Sequence, residues 1–336
     1  MSIWRKQGGV IGKESGNDYP SSGSWDVTET YTDANIPLIG EILFTTVQQN
    51  YSLTLPLEIA STVSIICVGG GGGAGASTLS LNGVSGGGGG GGGLHWINSV
   101  SVTPGETLTV TVGAGGSGGS ASGQNDNTAG GQSNVKRSTT FLASANGGGK
   151  GSYNVSSSAV QASGGLPGSD PAAGNLGGGG GQGGNGRGGR SGNGGSGGGG
   201  AGGYSGQGGL GAYYNINPQA GSGGGGGGGG AVNGFTGAIT TGGGGVDVYG
   251  EGASGAQASA NNTGDQTTTR GFQGSPVGAS TQTGTYGAGG TGSEDDSGAA
   301  GGNGSAGVVR IIWGAGRSFP STNTDQASSN GNVTVI

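Results

Sequence analysis

The chain has 336 residues, and 96 of them are Gly, more than a quarter of the chain where about 7% is usual. Only 8% are charged and 29% hydrophobic, too little apolar material for the core of an ordinary enzyme of this length. Acidic residues outnumber basic ones 17 to 11, for a net charge of −6, which argues against nucleic acid as the main partner because phosphate binding needs clustered cations.

The scarce residues exclude further classes. Collagen needs Gly at every third position with abundant Pro, but here Gly falls in blocks and Pro numbers nine. Cys67 is the lone cysteine and His95 the lone histidine, so neither a disulfide scaffold nor a thiolate or imidazole metal site is expected. No stretch approaches eighteen apolar residues, so no membrane insertion is expected. The first residues lack the apolar run of a secretory signal.

Residues 1–40 form a polar segment with Trp4, Tyr19, Trp25 and Tyr31 and few glycines. Residues 41–112 read as a β-strand domain interrupted by the first Gly runs. Glu41-Ile-Leu-Phe-Thr-Thr-Val, Tyr51-Ser-Leu-Thr-Leu and Thr62-Val-Ser-Ile-Ile-Cys-Val are rich in β-branched and aromatic residues, as strands are. Ile97-Asn-Ser-Val-Ser-Val and Glu106-Thr-Leu-Thr-Val-Thr-Val alternate with period two, and Pro104-Gly105 between them signals a turn. Residues 113–306 are dominated by Gly, Ser, Asn, Thr and Ala. Residues 307–336 close the chain with the strand Gly307-Val-Val-Arg-Ile-Ile-Trp and a polar tail. That strand matches the apolar run at 62–68, so the two are expected side by side in one sheet. No window has sustained helical periodicity, so almost no α-helix is expected.

Uninterrupted Gly occupies 69–73, 86–93, 177–181, 197–200, 223–230 and 242–245. Shorter Gly-rich stretches lie at 113–119, 183–189, 287–290 and 298–304. Gly/Ser-rich sequence ordinarily behaves as a random coil, but a coil does not require unbroken Gly, and here strands bound the region on both sides. The alternative is a sandwich of polyglycine II helices, each a left-handed threefold helix rising about 3.1 Å per residue. Such helices can pack side by side because no Cβ holds their backbones apart. Ordering each residue costs about 1–2 kcal/mol, while a net hydrogen bond returns about 0.5–1.5 kcal/mol and a Cα–H···O contact about 0.5–1 kcal/mol. The terms nearly cancel, so isolated runs should not order, whereas several runs tied to strands should. Gly→Val at the centre of 223–230 is then expected to destabilise far more than a surface change. The fold class expected is all-β with irregular structure: a small β-sheet domain plus a polyglycine II sandwich.

Two segments carry a resemblance. Phe44-Thr-Thr…Tyr51-Ser-Leu-Thr-Leu-Pro…Val63-Ser-Ile-Ile-Cys-Val followed by five Gly, and Ser101-Val-Thr-Pro-Gly-Glu-Thr-Leu-Thr-Val-Thr-Val-Gly-Ala-Gly-Gly, are similar to the glycine-rich domain of bacteriophage virion proteins. The close, Gly307-Val-Val-Arg-Ile-Ile-Trp-Gly-Ala-Gly-Arg-Ser-Phe-Pro, resembles the ends of such proteins in phages of marine and cyanobacterial hosts. The resemblance covers about 41–323. It implies a tail-fibre or tip-adhesin role like that in T-even-type phages, where loops between polyglycine II helices touch the bacterial receptor and an N-terminal part attaches to the fibre. It implies a location in the virion, other virion proteins (fibre or baseplate subunits) as partners, and a saccharide or outer-membrane protein as receptor. The oligomeric state is open between a homotrimer and a single chain. Rival expectations are a head-decoration, collar or baseplate fibre protein that binds only other virion subunits, and a disordered Gly-rich matrix protein.

On this reading the receptor-binding candidates are the loop aromatics Tyr204, Tyr213, Tyr214, Phe235, Tyr249, Phe272 and Tyr286. Exposed rings offer rigid area at low entropic cost; the alternative is that they cover the ends of the helices. Trp4, Tyr19, Trp25 and Tyr31 are candidates for virion attachment, with docking onto the chain's own sheets as the alternative. Trp96 and Trp313 are expected in the core of the sheets. Glu294-Asp295-Asp296 lacks the further carboxylates of a Ca²⁺ loop. Arg187 and Arg190 are too few for an RNA-binding tail. Gly-x-Gly-x-x-Gly matches lack a strand–turn–helix setting, and His95 has no partner from which to build a triad. No cofactor and no catalysis are expected.

Overall fold

The computed structural model describes residues 39–57, 59–76, 86–120, 126–152, 196–212, 217–230, 242–258, 286–293, 300–321 and 332–335, all within one unit, Leu38–Ile336. The described residues contain no α-helix and nine strands: β1 (Gly40–Phe44), β2 (Gln48–Thr54), β3 (Thr62–Val68), β4 (Leu94–Ser101), β5 (Thr107–Val112), β6 (Ser133–Arg137), β7 (Thr140–Ala145), β8 (Val308–Trp313) and β9 (Asn332–Val335). They form two sheets, in the order β4-β3-β8-β1-β9 and β2-β5-β6-β7. β3 and β8 pair antiparallel, with Val68 opposite Val308.

The period-two pattern of the strands sorts their side chains. Val63, Ile65 and Cys67 of β3, Val309 and Ile311 of β8, and Leu108, Val110 and Val112 of β5 face the space between the sheets and are buried there with Phe44 and Trp313. On the other face of the five-stranded sheet, Ile66, Val68, Leu94 and Ile312 pack under Ala201, Tyr204, Val246, Val248 and Phe319. Burial on both faces explains why β3 and β8 read as unbroken apolar runs. Pro104-Gly105 makes the expected turn: Gly105 has φ +76° and Glu106 N–H donates to Thr103 O at 3.0 Å.

Three strands fall where none was expected: β6 and β7 inside 113–306, and β9 in the tail. β6 is Ser-Asn-Val-Lys-Arg, whose polar residues suit a sheet with one wet face. Its turn to β7 uses Ser138 at φ +54° instead of the Gly that usually marks such a turn.

The glycine runs grow out of the strand ends. β3 passes into 69–76, β5 into 113–120 and β7 into 146–152; 86–93 passes into β4, 126–132 into β6 and 300–307 into β8. Within 69–75 every N–H is paired, with a three-residue repeat. Gly69, Gly72 and Gly75 donate to Gly93, Gly90 and Gly87; Gly70 and Gly73 donate to Gly131 and Thr128; Gly71 and Ala74 donate to Ser305 and Gly302. All three acceptor runs are antiparallel to the donor run. The carbonyls of 70–75 accept from three further runs that lie parallel: Gly148 and Gly151, Gly116 and Gly119, and Gly290 and Ser293. One run is therefore surrounded by six, the polyglycine II arrangement.

Side chains are excluded by this packing. A Cβ added at Gly71 would lie 1.9 Å from Ala288 O, at Gly72 2.0 Å from Gly149 O, and at Gly73 1.9 Å from Ser117 O. The Cα hydrogens point at those oxygens instead, as weak Cα–H···O contacts. Because six of the runs join strands that are already fixed, part of the ordering entropy has been met before the first lattice bond forms.

Candidate functional site

The strands and runs share one axis, which gives the molecule two unlike ends. β3, β5 and β7 run toward the lattice, and β4, β6 and β8 run away from it. The chain enters the sandwich at Gly40, opposite Trp313, at the end away from the lattice. Six strand residues at about 3.3 Å and eight lattice residues at about 3.1 Å place the far rim of the lattice roughly 45 Å from that entry.

The described residues that flank the connecting segments meet at the rim. Gly86 N–H donates to Ser293 O at 3.2 Å, Gly87 N–H to Ser152 O at 3.1 Å, Gly292 N–H to Ser196 O at 2.9 Å, Gly197 N–H to Ala212 O at 3.1 Å, and Ala212 N–H to Gly229 O at 2.8 Å. Segments 77–85, 121–125, 153–195, 213–216, 231–241 and 294–299 thus leave from and return to one end of the lattice. Tyr213, Tyr214, Phe235, Arg187, Arg190 and Glu294-Asp295-Asp296 lie on them, outside the described residues. Phe272 is also outside; its segment, 259–285, begins at the rim but ends beside Tyr286, which is bridged to Val246 near the sheets.

Short polar side chains tie the rim together. Ser196 Oγ accepts from Gly88 N–H at 2.6 Å and donates to Gly86 O at 3.3 Å. Asn127 Nδ2 donates to Gly151 O at 2.5 Å, and Ser293 Oγ to Gly75 O at 3.2 Å. Asp126 Oδ1 accepts from Ser120 N–H at 2.8 Å, so both flanks of 121–125 are pinned. Those hydrogen bonds from Ser120 hold the Asp126 carboxyl below its ordinary range.

Three of the expected receptor-binding rings are elsewhere. Tyr204 is fully buried; its O–H donates to Asp247 O at 3.1 Å and accepts from Gly250 N–H at 3.0 Å. Burial pushes its ionisation far above the ordinary tyrosine range. Tyr286 is half-buried against the same apolar layer, and burial followed by nearby Asp247 raises its pKa. Tyr249 is half-buried, with the Arg310 guanidinium 4.4 Å from its ring centroid. Tyr204 cannot touch a receptor, and all three rings sit at the sheet end of the lattice, where their apolar bodies cover the five-stranded sheet. Trp4, Tyr19, Trp25 and Tyr31 lie outside the described residues.

A buried ionic cluster beside these rings was not expected. Glu41 Oε2 accepts from Arg310 at 2.5 Å and also from Arg317. Arg310 donates to Val248 O at 2.8 Å, and Arg317 to Gly40 O at 2.6 Å. Glu41 and Arg310 are almost fully buried, so each charge depends on the other. Burial is also the largest influence on Asp247, raising its carboxyl pKa against the opposing effects of the Val248 N–H bond and Arg310. The sequence signal was available: one acid and one base, each inside an apolar strand (Glu41-Ile-Leu-Phe and Val-Val-Arg310-Ile-Ile-Trp).

His95 is buried, and its Nδ1 accepts from Ser144 N–H at 3.2 Å. Desolvation lowers its pKa to about 4. Trp313 is in the core between the sheets, and Trp96 packs on the outer apolar layer while donating to Tyr204 O at 3.0 Å. Among the described residues no cluster of His, Cys, Asp or Glu could hold a metal ion.

The arrangement is a hydrogen-bonded support from one end of which six connecting segments leave. A search of curated proteins found no match to the chain. The model of the glycine-rich domain family matches residues 45–314, which takes in β2 to β8 and the described lattice runs. The chain therefore belongs to the glycine-rich domain family.

Proposed function

We propose that this chain is a phage virion protein of the tail-fibre or tip-adhesin type, which presents its rim segments to a host-surface receptor and acts without catalysis. The observation that carries the reading is the polarity of the fold: the chain enters at one end of the sandwich, and six connecting segments open at the far end of the lattice. A scaffold that fixes loops at one end suits recognition, because the rigid part carries the stability and the loops carry the contacts. The phage assignment rests on the resemblance of residues 41–323 to virion proteins.

On this reading Tyr213 and Tyr214, between Ala212 and Asn217 at the rim, are receptor contacts, and Phe235 on 231–241 is another. The receptor is a bacterial saccharide or outer-membrane protein. Residues 1–40, with Trp4, Tyr19, Trp25 and Tyr31, are the attachment segment to other virion subunits, and the protein resides in the virion.

Labelled, purified protein tests this. Saturable binding to host cells, together with competition against phage adsorption, is the expected result. Replacing Tyr213 and Tyr214 by Ser should weaken binding at least tenfold with an unchanged melt. Binding to virion particles but not to cells would refute the adhesin role and make the protein a structural virion component.

A further inference from the structure

We propose that β9 is exchanged between copies of this chain, so that Asn332–Val335 of one copy completes the five-stranded sheet of the next. β9 pairs only with β1, and it does so parallel, from Gly40 opposite Asn332 to Leu43 opposite Val335. Every other strand pair among the described residues is antiparallel. Parallel pairing is slightly weaker per residue, and this ladder is four residues long.

Residues 314–321, after β8, are held without β9 and lead away from β1. After β8 the chain crosses the outer face of the sheet: Arg317 holds Gly40 O and Glu41. It then reaches β4, where Phe319 N–H donates to Asn98 Oδ1 at 2.9 Å and Asn98 Nδ2 donates to Phe319 O at 2.6 Å. Pro320 O accepts from Glu251 N–H at 2.8 Å. β4 and β9 are opposite edges of the sheet, four strand spacings or about 19 Å apart. For β9 to pair with its own β1, the ends of 322–331 must lie at opposite edges of the sheet. A second copy lying beside β4 offers its β1 edge on the side where Phe319 already lies.

Exchange costs no pairing, since each copy gives one four-residue strand and receives one. It also keeps the β1 edge covered, which a vacated edge strand would not be. The contact is head-to-tail, β4 side against β1 side, so it closes as a ring or continues as a filament according to the angle between copies.

Cysteine pairing tests the exchange directly. Leu43→Cys and Val335→Cys sit at directly opposed backbone positions, and the native Cys67 is buried. The two substitutions are placed on separate, differently tagged chains, which are mixed and oxidised. A disulfide joining the two tags is the expected result, together with a full-length mass of two or more chains by light scattering. A chain ending at residue 331 is expected to run as a monomer with its glycine amides still protected from exchange. Three results would overturn the proposal: a doubly substituted chain that closes its disulfide only within itself at every concentration, no linkage in any arrangement, or a truncated chain that keeps the full-length assembly.

Discussion

Gly242 and Gly243 are neighbours in one glycine run, yet the lattice treats them oppositely. An added Cβ at Gly243 would lie 1.9 Å from Gly199 O and 2.4 Å from Gly199 C, about 1.5 Å inside ordinary contact with the oxygen. To admit it, the run must move off 196–203. That disturbs Gly243 N–H to Gly289 O at 3.1 Å, Gly244 N–H to Gly227 O at 2.7 Å, and the bonds Gly199 makes to Gly89 and Gly289. Overpacking costs about 1–3 kcal/mol, and weakening several bonds worth about 0.5–1.5 kcal/mol each adds to it. Gly243→Ala should therefore destabilise by about 3–5 kcal/mol. At Gly242 the nearest atoms to an added Cβ are Gly289 O at 3.2 Å and Thr291 Cγ2 at 3.7 Å. A shift of a few tenths of an ångström suffices there, and the loss of unfolded-state freedom returns about 0.4–1 kcal/mol. Gly242→Ala should be within about 1 kcal/mol of the parent. Thermal melts of the two variants should differ by roughly 10 °C, at about 2–4 °C per kcal/mol. In a flexible linker the two changes would be equivalent, so equal melts would refute the lattice.

Glu41→Leu should destabilise by about 3–5 kcal/mol in urea titration, because it leaves the buried Arg310 and Arg317 without their shared carboxylate, whereas Arg310→Met, which leaves Glu41 paired with Arg317, should cost less. His95 makes stability depend on pH. Its pKa is near 4 in the fold and about 6.5 when unfolded, so the unfolded chain binds more protons between those values. Stability should fall as pH drops from about 6.5 to 4, by up to about 3 kcal/mol, and His95→Gln should flatten that part of the profile. Ser196→Ala removes the hydroxyl that accepts from Gly88 N–H and should cost about 1–3 kcal/mol, seen as a lower denaturant midpoint. Tyr204→Phe should cost a similar amount, because it leaves the buried Gly250 N–H unmet, while binding to host cells stays unchanged.

The strands facing apolar material on both sides were readable because their composition leaves no other use: β3 and β8 match the expected segments almost residue for residue. β6 was not, since Val135 is its one apolar residue and its register comes from β5 and β7, not from its own pattern. The lattice is legible as glycine, and a finer signal accompanies it. Ala114, Ser117 and Ser120, like Ala300, Asn303 and Ala306, recur at intervals of three on outer runs and are exposed or half-buried, as the free edge of a threefold helix requires. Tyr204 could not be placed from sequence, because the groups that bond its hydroxyl come from residues more than forty positions away.

The central claim is that glycine main chains form an ordered, fully hydrogen-bonded array, and amide hydrogen exchange resolved at residues 69–75 tests it most directly. All seven N–H groups are bonded to surrounding runs, so seven consecutive amides should be protected by several orders of magnitude over an unfolded chain and should open together with β3. Exchange of those amides at the unfolded rate, while β3 itself stays protected, would contradict it.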